Sequence, residues 1–143
     1  MKLSTRSRYG TRLMVELANH YPDNQIQLKE IAENQAISEK YLSKLVIPLK
    51  GFGLIIAFRG FQGGYQLAKS PSAVTVLEIV EALEGPLALV DCVSQPKQCQ
   101  RNEFCPTRSV WCQVNQAIRG TLAGITLEDL ALAHQHPILN YAI

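Results

Sequence analysis

Between positions 92 and 112 the chain reads CVSQPKQCQRNEFCPTRSVWC, and this stretch holds all four of its cysteines: Cys92, Cys99, Cys105 and Cys112. Six, five and six residues separate them. Disulfides, a zinc ion, an iron–sulfur cluster and coincidence are the alternatives. Structural zinc sites space their cysteines more closely, so these gaps count against zinc. Disulfides belong to oxidising compartments, and thiols elsewhere read first as metal or redox chemistry. Pro96, Lys97, Gln98, Gln100, Arg101 and Asn102 fill the stretch with polar groups. Such a segment cannot build its own core, so something else must organise it. His20, His134 and His136 are remote in sequence. His134-x-His136 reads as a solvated helix end, the other reading being a ligand given by a partner chain.

The rest of the chain must position these groups. Its 143 residues suit one domain, or a small domain with an appendage, and 47% apolar content is enough for a core. No apolar run approaches the ~20 residues of a membrane span. No apolar stretch follows the opening MKLSTRSRYG, so a signal peptide is not expected and a cytoplasmic protein is. The net charge of +2 divides unevenly: residues 1–70 carry +5 and residues 71–143 carry −3. A basic front half suits a polyanionic partner.

Tyr9, Leu13, Met14 and Leu17 have helical spacing and predict a helix over 5–20, ended by the turn cluster YPDN. Leu28, Ile31 and Ala32 form one short helical face. After a break at Ala36-Ile37-Ser38, Ser38 caps a second helix carrying Tyr41, Leu42, Leu45 and Val46. Gly51 and Gly53 mark its end, and Pro48 should bend its last turn. Leu54–Phe58 and Gly64–Ala68 read as strands joined by the glycine-rich RGFQGG. A helix-turn-helix followed by such a hairpin is the layout of a winged helix.

Thr75 and Glu78 form a capping box for a helix burying Val76, Ile79, Val80 and Leu83, stopped by Gly85-Pro86. Beyond the cysteines, Trp111, Val114, Ile118, Leu122 and Ile125 predict a helix with a stripe suited to another helix, in the same chain or across a dimer. Thr126 and Asp129 open a final short helix.

The order KLSTRSRYGTRLMVELA, LKEIAENQAISEKYLSKLVIPLK, GLI…RG…GGYQLAK, a capped helix, spaced cysteines and TLEDL resembles the IscR/NsrR-type winged-helix transcription regulators, the Rrf2 family. The expected fold is mainly α with a small β-hairpin. Residues 1–85 would be the winged helix-turn-helix DNA-binding domain, 86–105 the cysteine-bearing cluster loop, and 106–143 the dimerisation helix and a C-terminal short helix.

A recognition helix enters the major groove and offers polar side chains to base edges. Ser38, Lys40, Tyr41, Ser43 and Lys44 are placed for this. The resemblance implies that the wing residues Arg59, Gly60, Gly63 and Gly64 approach the backbone or minor groove. Tyr65 reads as hairpin core. Arg6, Arg8 and Arg12 either add phosphate contacts or form a solvated face. The expected partners are a second copy of the chain and a roughly palindromic double-stranded operator, with no membrane.

The resemblance also implies an iron–sulfur cluster, held by cysteine thiolates. Cys92, Cys99 and Cys105 map onto the family's three loop cysteines, with one extra residue in the first gap. Arg108 stands where one branch of the family has a ligating histidine, and Arg8 where another has an aspartate. Cys112 is the substitute fourth ligand; its other reading is a small buried residue beside Trp111. On one helix, residues seven apart lie about 10.5 Å apart, a stretch for one small cluster, and sharing becomes workable if Pro106 starts the helix with Cys105 on the loop before it. A [2Fe–2S] cluster is preferred to [4Fe–4S]. The expected function is a repressor whose DNA affinity follows iron–sulfur status, redox state or nitric oxide. The alternative is a cluster-free regulator answering to a small molecule or partner protein. No catalytic dyad or glycine-rich cofactor loop points to an enzyme.

Overall fold

The computed structural model describes residues 3–135; His136 lies outside the described residues. Seven helices and one antiparallel hairpin are present among them, the architecture of a winged helix. α1 (Thr5–His20), α2 (Leu28–Gln35) and α3 (Glu39–Gly51) precede β1 (Ile55–Phe58) and β2 (Gly64–Leu67). α4 (Val76–Glu84), α5 (Asp91–Ser94), α6 (Arg108–Ala123) and α7 (Leu127–Gln135) follow, with short 3-10 turns at Pro71–Ala73 and Pro96–Gln98.

α1 is the central post. Ser4 caps it by accepting the Arg6 N–H at 3.1 Å, and Leu13, Met14 and Leu17 lie in the core. Gly10 sits where a Cβ would collide with the buried Leu83 side chain, so its lack of a side chain sets how closely α1 approaches α4. The turn between α2 and α3 passes through Ala36 at φ 52°, a left-handed conformation that a β-carbon disfavours. Ser38 then accepts the Tyr41 N–H at 3.0 Å and starts α3. α3 continues through Pro48 to Gly51.

The hairpin pairs Ile55 with Leu67 and Phe58 with Gly64. Ile26 adds a third line of pairing: its N–H donates to the Tyr65 carbonyl at 3.0 Å, and the Tyr65 N–H donates back at 2.9 Å. Gly64 makes this possible, because a Cβ there would lie 2.6 Å from the Ile26 carbonyl oxygen. The Thr75–Glu78 capping box is formed in both directions.

α6 is different in kind. Asn115 is its one buried residue. Ile125 is not part of it: the helix ends at Ala123 and is capped by Gly124, so the apolar spacing runs past the helical backbone. The Ile125 carbonyl instead accepts the Val76 N–H at 2.9 Å. α7 returns to α1, and its Leu127 and Ala131 join the same core. No helix among the described residues is long and apolar enough to cross a membrane.

Candidate nucleic-acid interface and cysteine segment

The helix-turn-helix is held from behind by polar contacts that its sequence hides. Glu16, buried on α1, accepts hydrogen bonds from Asn34 at 2.8 Å and Gln35 at 2.7 Å, fixing the end of α2. Arg12 donates to the Gln35 side chain at 3.1 Å and to its carbonyl, and lies 5.5 Å over the Tyr9 ring. Arg12 thus serves the fold, while Arg6 and Arg8 remain exposed. Tyr41 is half-buried: its ring meets Tyr9 edge-on at 5.8 Å, and its hydroxyl pairs with Thr5 at 3.1 Å.

Ser38, Lys40, Ser43 and Lys44 are exposed along α3, with the Ser43 hydroxyl donating to the Lys40 carbonyl at 2.7 Å. Arg59 is exposed at the start of the wing. The ion pairs among the described residues are Lys69–Glu78 and Arg119–Glu81. Lys40, Lys44, Lys50 and Arg59 therefore present their charge to solvent with no acidic partner among the described residues.

Gly60, at φ 102°, and Gly63 close the wing tip through a 3.0 Å hydrogen bond from the Gly63 N–H to the Gly60 carbonyl. A Cβ on Gly63 would strike the Phe58 carbonyl. Gly63 and Gly64 are thus required by the protein's own backbone. Between α3 and the hairpin lies an open groove of about 510 Å3, lined by Ser43, Val46, Ile47, Lys50, Gly51, Ala57 and Tyr65.

Sequence reasoning missed three residues here. Ile47 and Lys50 share a face of α3 with Ser43, and Ile47 is 71% exposed. Their spacing of four and three after Ser43 was the available signal. Phe61, at the wing tip, is 97% exposed; an aromatic residue inside a glycine turn was its signal.

The cysteine segment crosses α5 and the turn after it, then reaches α6. All four thiols are free; Cys99 is exposed, and Cys92, Cys105 and Cys112 are half-buried. Cys105 stands on the loop before α6, and Cys112 lies on the helix. The Thr107 hydroxyl lies 3.3 Å from the Cys105 sulfur. That contact, Thr107 and Arg108 backbone groups, and the Arg101 charge lower its pKa and favour the thiolate.

The donor types suit an iron–sulfur cluster. Their placement does not gather one: no three His, Cys, Asp or Glu side chains among the described residues come together as a metal site. Asn102 Oδ1 and Arg108 Nε are buried in this segment without a hydrogen-bond partner, although buried polar groups are normally paired. The start of the segment is better tied. The Leu89 N–H donates to Asn115 Oδ1 at 3.1 Å, the Leu87 N–H donates to Glu81 at 3.2 Å, and Arg119 pairs with Glu81.

Comparison with known proteins agrees with this geometry. The family described as "Rrf2: Iron-dependent Transcriptional regulator" matches residues 3–133. Protein rrf2 of Nitratidesulfovibrio vulgaris (strain Hildenborough) is 42% identical over 130 residues, covering 91% of this chain and 87% of its own. The structure of CymR, the global cysteine regulator of B. subtilis, superposes with a TM-score of 0.77 at 37% identity, covering 92% of this chain and 97% of that one. The structure of T. potens IscR superposes with a TM-score of 0.78 at 35% identity, covering 99% and 94%.

Proposed function

This chain belongs to the Rrf2 family of transcription regulators, and from that premise we propose that it represses transcription as a homodimer whose DNA affinity is set by residues 92–112. It is a DNA-binding regulator and not an enzyme. The observation that carries the reading is the row of unpartnered cations, Lys40, Lys44 and Arg59, on the recognition helix and wing. Ser38 and Ser43 lie among them, and Tyr41 positions α3 through Tyr9 and Thr5. The wing glycines Gly60, Gly63 and Gly64 keep the wing narrow enough to approach a groove. The place of action is the cytoplasm.

Dimerisation is supported by α6. Val110, Trp111 and Val114 are 48%, 41% and 40% exposed. An open apolar groove of about 350 Å3 runs along Val114, Ala117, Ile118, Thr121 and Leu122. A symmetric pair would present two recognition helices to a palindromic operator.

Cys92, Cys99 and Cys105 would hold an iron–sulfur cluster, [2Fe–2S] in preference to [4Fe–4S], with Cys112 as fourth ligand. The group would supply sensitivity to iron–sulfur status, redox state or nitric oxide. The free thiols and two orphaned polar atoms support a segment that something further organises. Asn115 and Arg119 fasten its start to α6, so rearrangement of the segment bears on the dimer face.

A second reading is favoured by the ungathered thiols: a cluster-free regulator answering to a small molecule or partner protein. Salt-dependent binding to double-stranded DNA tests the first claim, with each of Lys40→Ala, Lys44→Ala and Arg59→Ala weakening it. Iron and sulfide analysis after anaerobic reconstitution separates the two sensing readings. A colourless, iron-free protein that still binds DNA would sink the cluster and leave the regulator.

A further inference from the structure

Phe61 occupies the tip of the wing, in the turn between β1 and β2, and is 97% exposed. Single exposed apolar side chains are common on proteins, so exposure alone carries nothing. Phe61 differs in how its backbone is held. The Gln25 side-chain amide donates to the Gln62 carbonyl at 2.7 Å, and the Gln27 amide reaches the Phe61 carbonyl at 3.5 Å. The Gly63 N–H donates to the Gly60 carbonyl at 3.0 Å. The turn is therefore closed on itself and tied at two points to the segment before α2. A ring that has no contact with the core is held outward on a braced support, two residues from the unpartnered Arg59.

We propose that Phe61 is an apolar wedge that enters the DNA minor groove beside Arg59 and partly unstacks one base step. This deepens the DNA-binding reading and rests on it. When α3 lies in a major groove, the hairpin that packs against it reaches toward the flanking minor groove. Arg59 is drawn by the negative potential of that groove. Apolar side chains inserted between base steps kink the duplex by about 20–90°, and pyrimidine–purine steps yield most easily. Phe61 would thus add a preference for a deformable step at a fixed distance outside each half-site. It would make no hydrogen bond to a base.

The test begins with selection of binding sites from a random pool of double-stranded DNA by the full chain. Selected sites should carry TA or CA/TG steps at a constant offset from the half-site. Binding and bending are then measured on a selected duplex, by fluorescence anisotropy and by energy transfer between end labels, with 2-aminopurine at the step reporting unstacking. Phe61→Ala should weaken binding by about fivefold or more, the lower end of an aromatic–base contact. It should also reduce the bend, remove the 2-aminopurine signal and erase the step preference. Phe61→Leu, which keeps an apolar wedge, should retain most of each. Arg59→Ala should lower affinity and salt dependence while leaving the step preference. The exposed site makes unfolding of these variants unexpected, and melting curves check it. Phe61→Ala with unchanged affinity, bend and step preference would overturn the wedge, pointing to a protein contact at the tip. A wild-type chain that enriches no sequence would overturn the DNA reading itself, and the wedge with it.

Discussion

The winged helix and the region from Gly85 to Thr126 are built on opposite principles. The first has a continuous core running from Leu13 through Leu42 and Leu54 to Leu83, closed by Leu127 and Ala131 from α7. The second has no buried hydrophobic residue among the described ones; its buried side chain is Asn115, while Val110, Trp111 and Val114 face outward. Apolar burial supplies most of the drive to fold. The winged helix can therefore complete itself in one chain. The cysteine segment and α6 bury their apolar side chains only in part, are fastened by a few polar ties, and expose the surface that a second copy would cover.

The sharpest way to break the comparison is to cut one apolar side chain in each region. Leu42 is fully buried, so Leu42→Ala should cost about 2–5 kcal/mol. Val114 is 40% exposed, so Val114→Ala should change the monomer's stability by within about 0.5 kcal/mol and weaken self-association instead. Denaturant titrations at two protein concentrations, with sedimentation analysis, separate these effects. Equal loss from both variants at low concentration would erase the distinction.

The winged helix was legible because its signals are local. The Ser38 cap, the Thr75–Glu78 box and the α1 stripe each act within a few residues, and each is realised. What escaped depends on distant partners or on backbone shape. Glu16 carries no local signal of its burial, because its partners Asn34 and Gln35 arrive from α2. Ala36 marked a break, but alanine does not advertise a left-handed turn, so its φ of 52° was hidden. Ala36→Gly should accordingly stabilise the chain by up to about 1 kcal/mol, measured by thermal melting. Ile125 kept the apolar rhythm after Gly124 had ended the helix, because periodicity does not report where hydrogen bonding stops. The cysteines were legible as a set and not as a site: spacing along a polar loop does not fix distances.

A middle-sized effect should come from the tie between the two regions. Asn115→Ala leaves the Leu89 N–H without its 3.1 Å acceptor in a partly buried place, a loss of about 1–3 kcal/mol. Hydrogen exchange should localise that loss to residues 86–90 and α6, with the winged-helix core keeping its protection. If exchange rises equally across α1 and α3, the tie belongs to the core, and the two regions are one cooperative unit.

The smallest effect should come from Glu84, which joins the start of α1 to the end of α4 at the threshold of the cysteine segment. Its carboxylate accepts hydrogen bonds from the Ser4 hydroxyl and, at 2.6 Å, from the Ser7 hydroxyl. These bonds, with Arg6 nearby, hold its pKa below the ordinary carboxylate value. A carboxyl depressed in the folded state contributes stability above its unfolded pKa and loses it as pH falls through the folded one. Glu84→Gln keeps the shape and removes that titration. Glu84 is exposed, so solvent screening limits the difference to less than about 1 kcal/mol near neutral pH. In acid, at a pH below the depressed folded-state pKa, the advantage of the wild type should shrink, since both side chains are then neutral. Denaturant midpoints at the two pH values read this directly. A difference that persists unchanged in acid would place the effect in the hydrogen-bond geometry of Gln against Glu. The charge at the end of α4 would then have no part in securing α1.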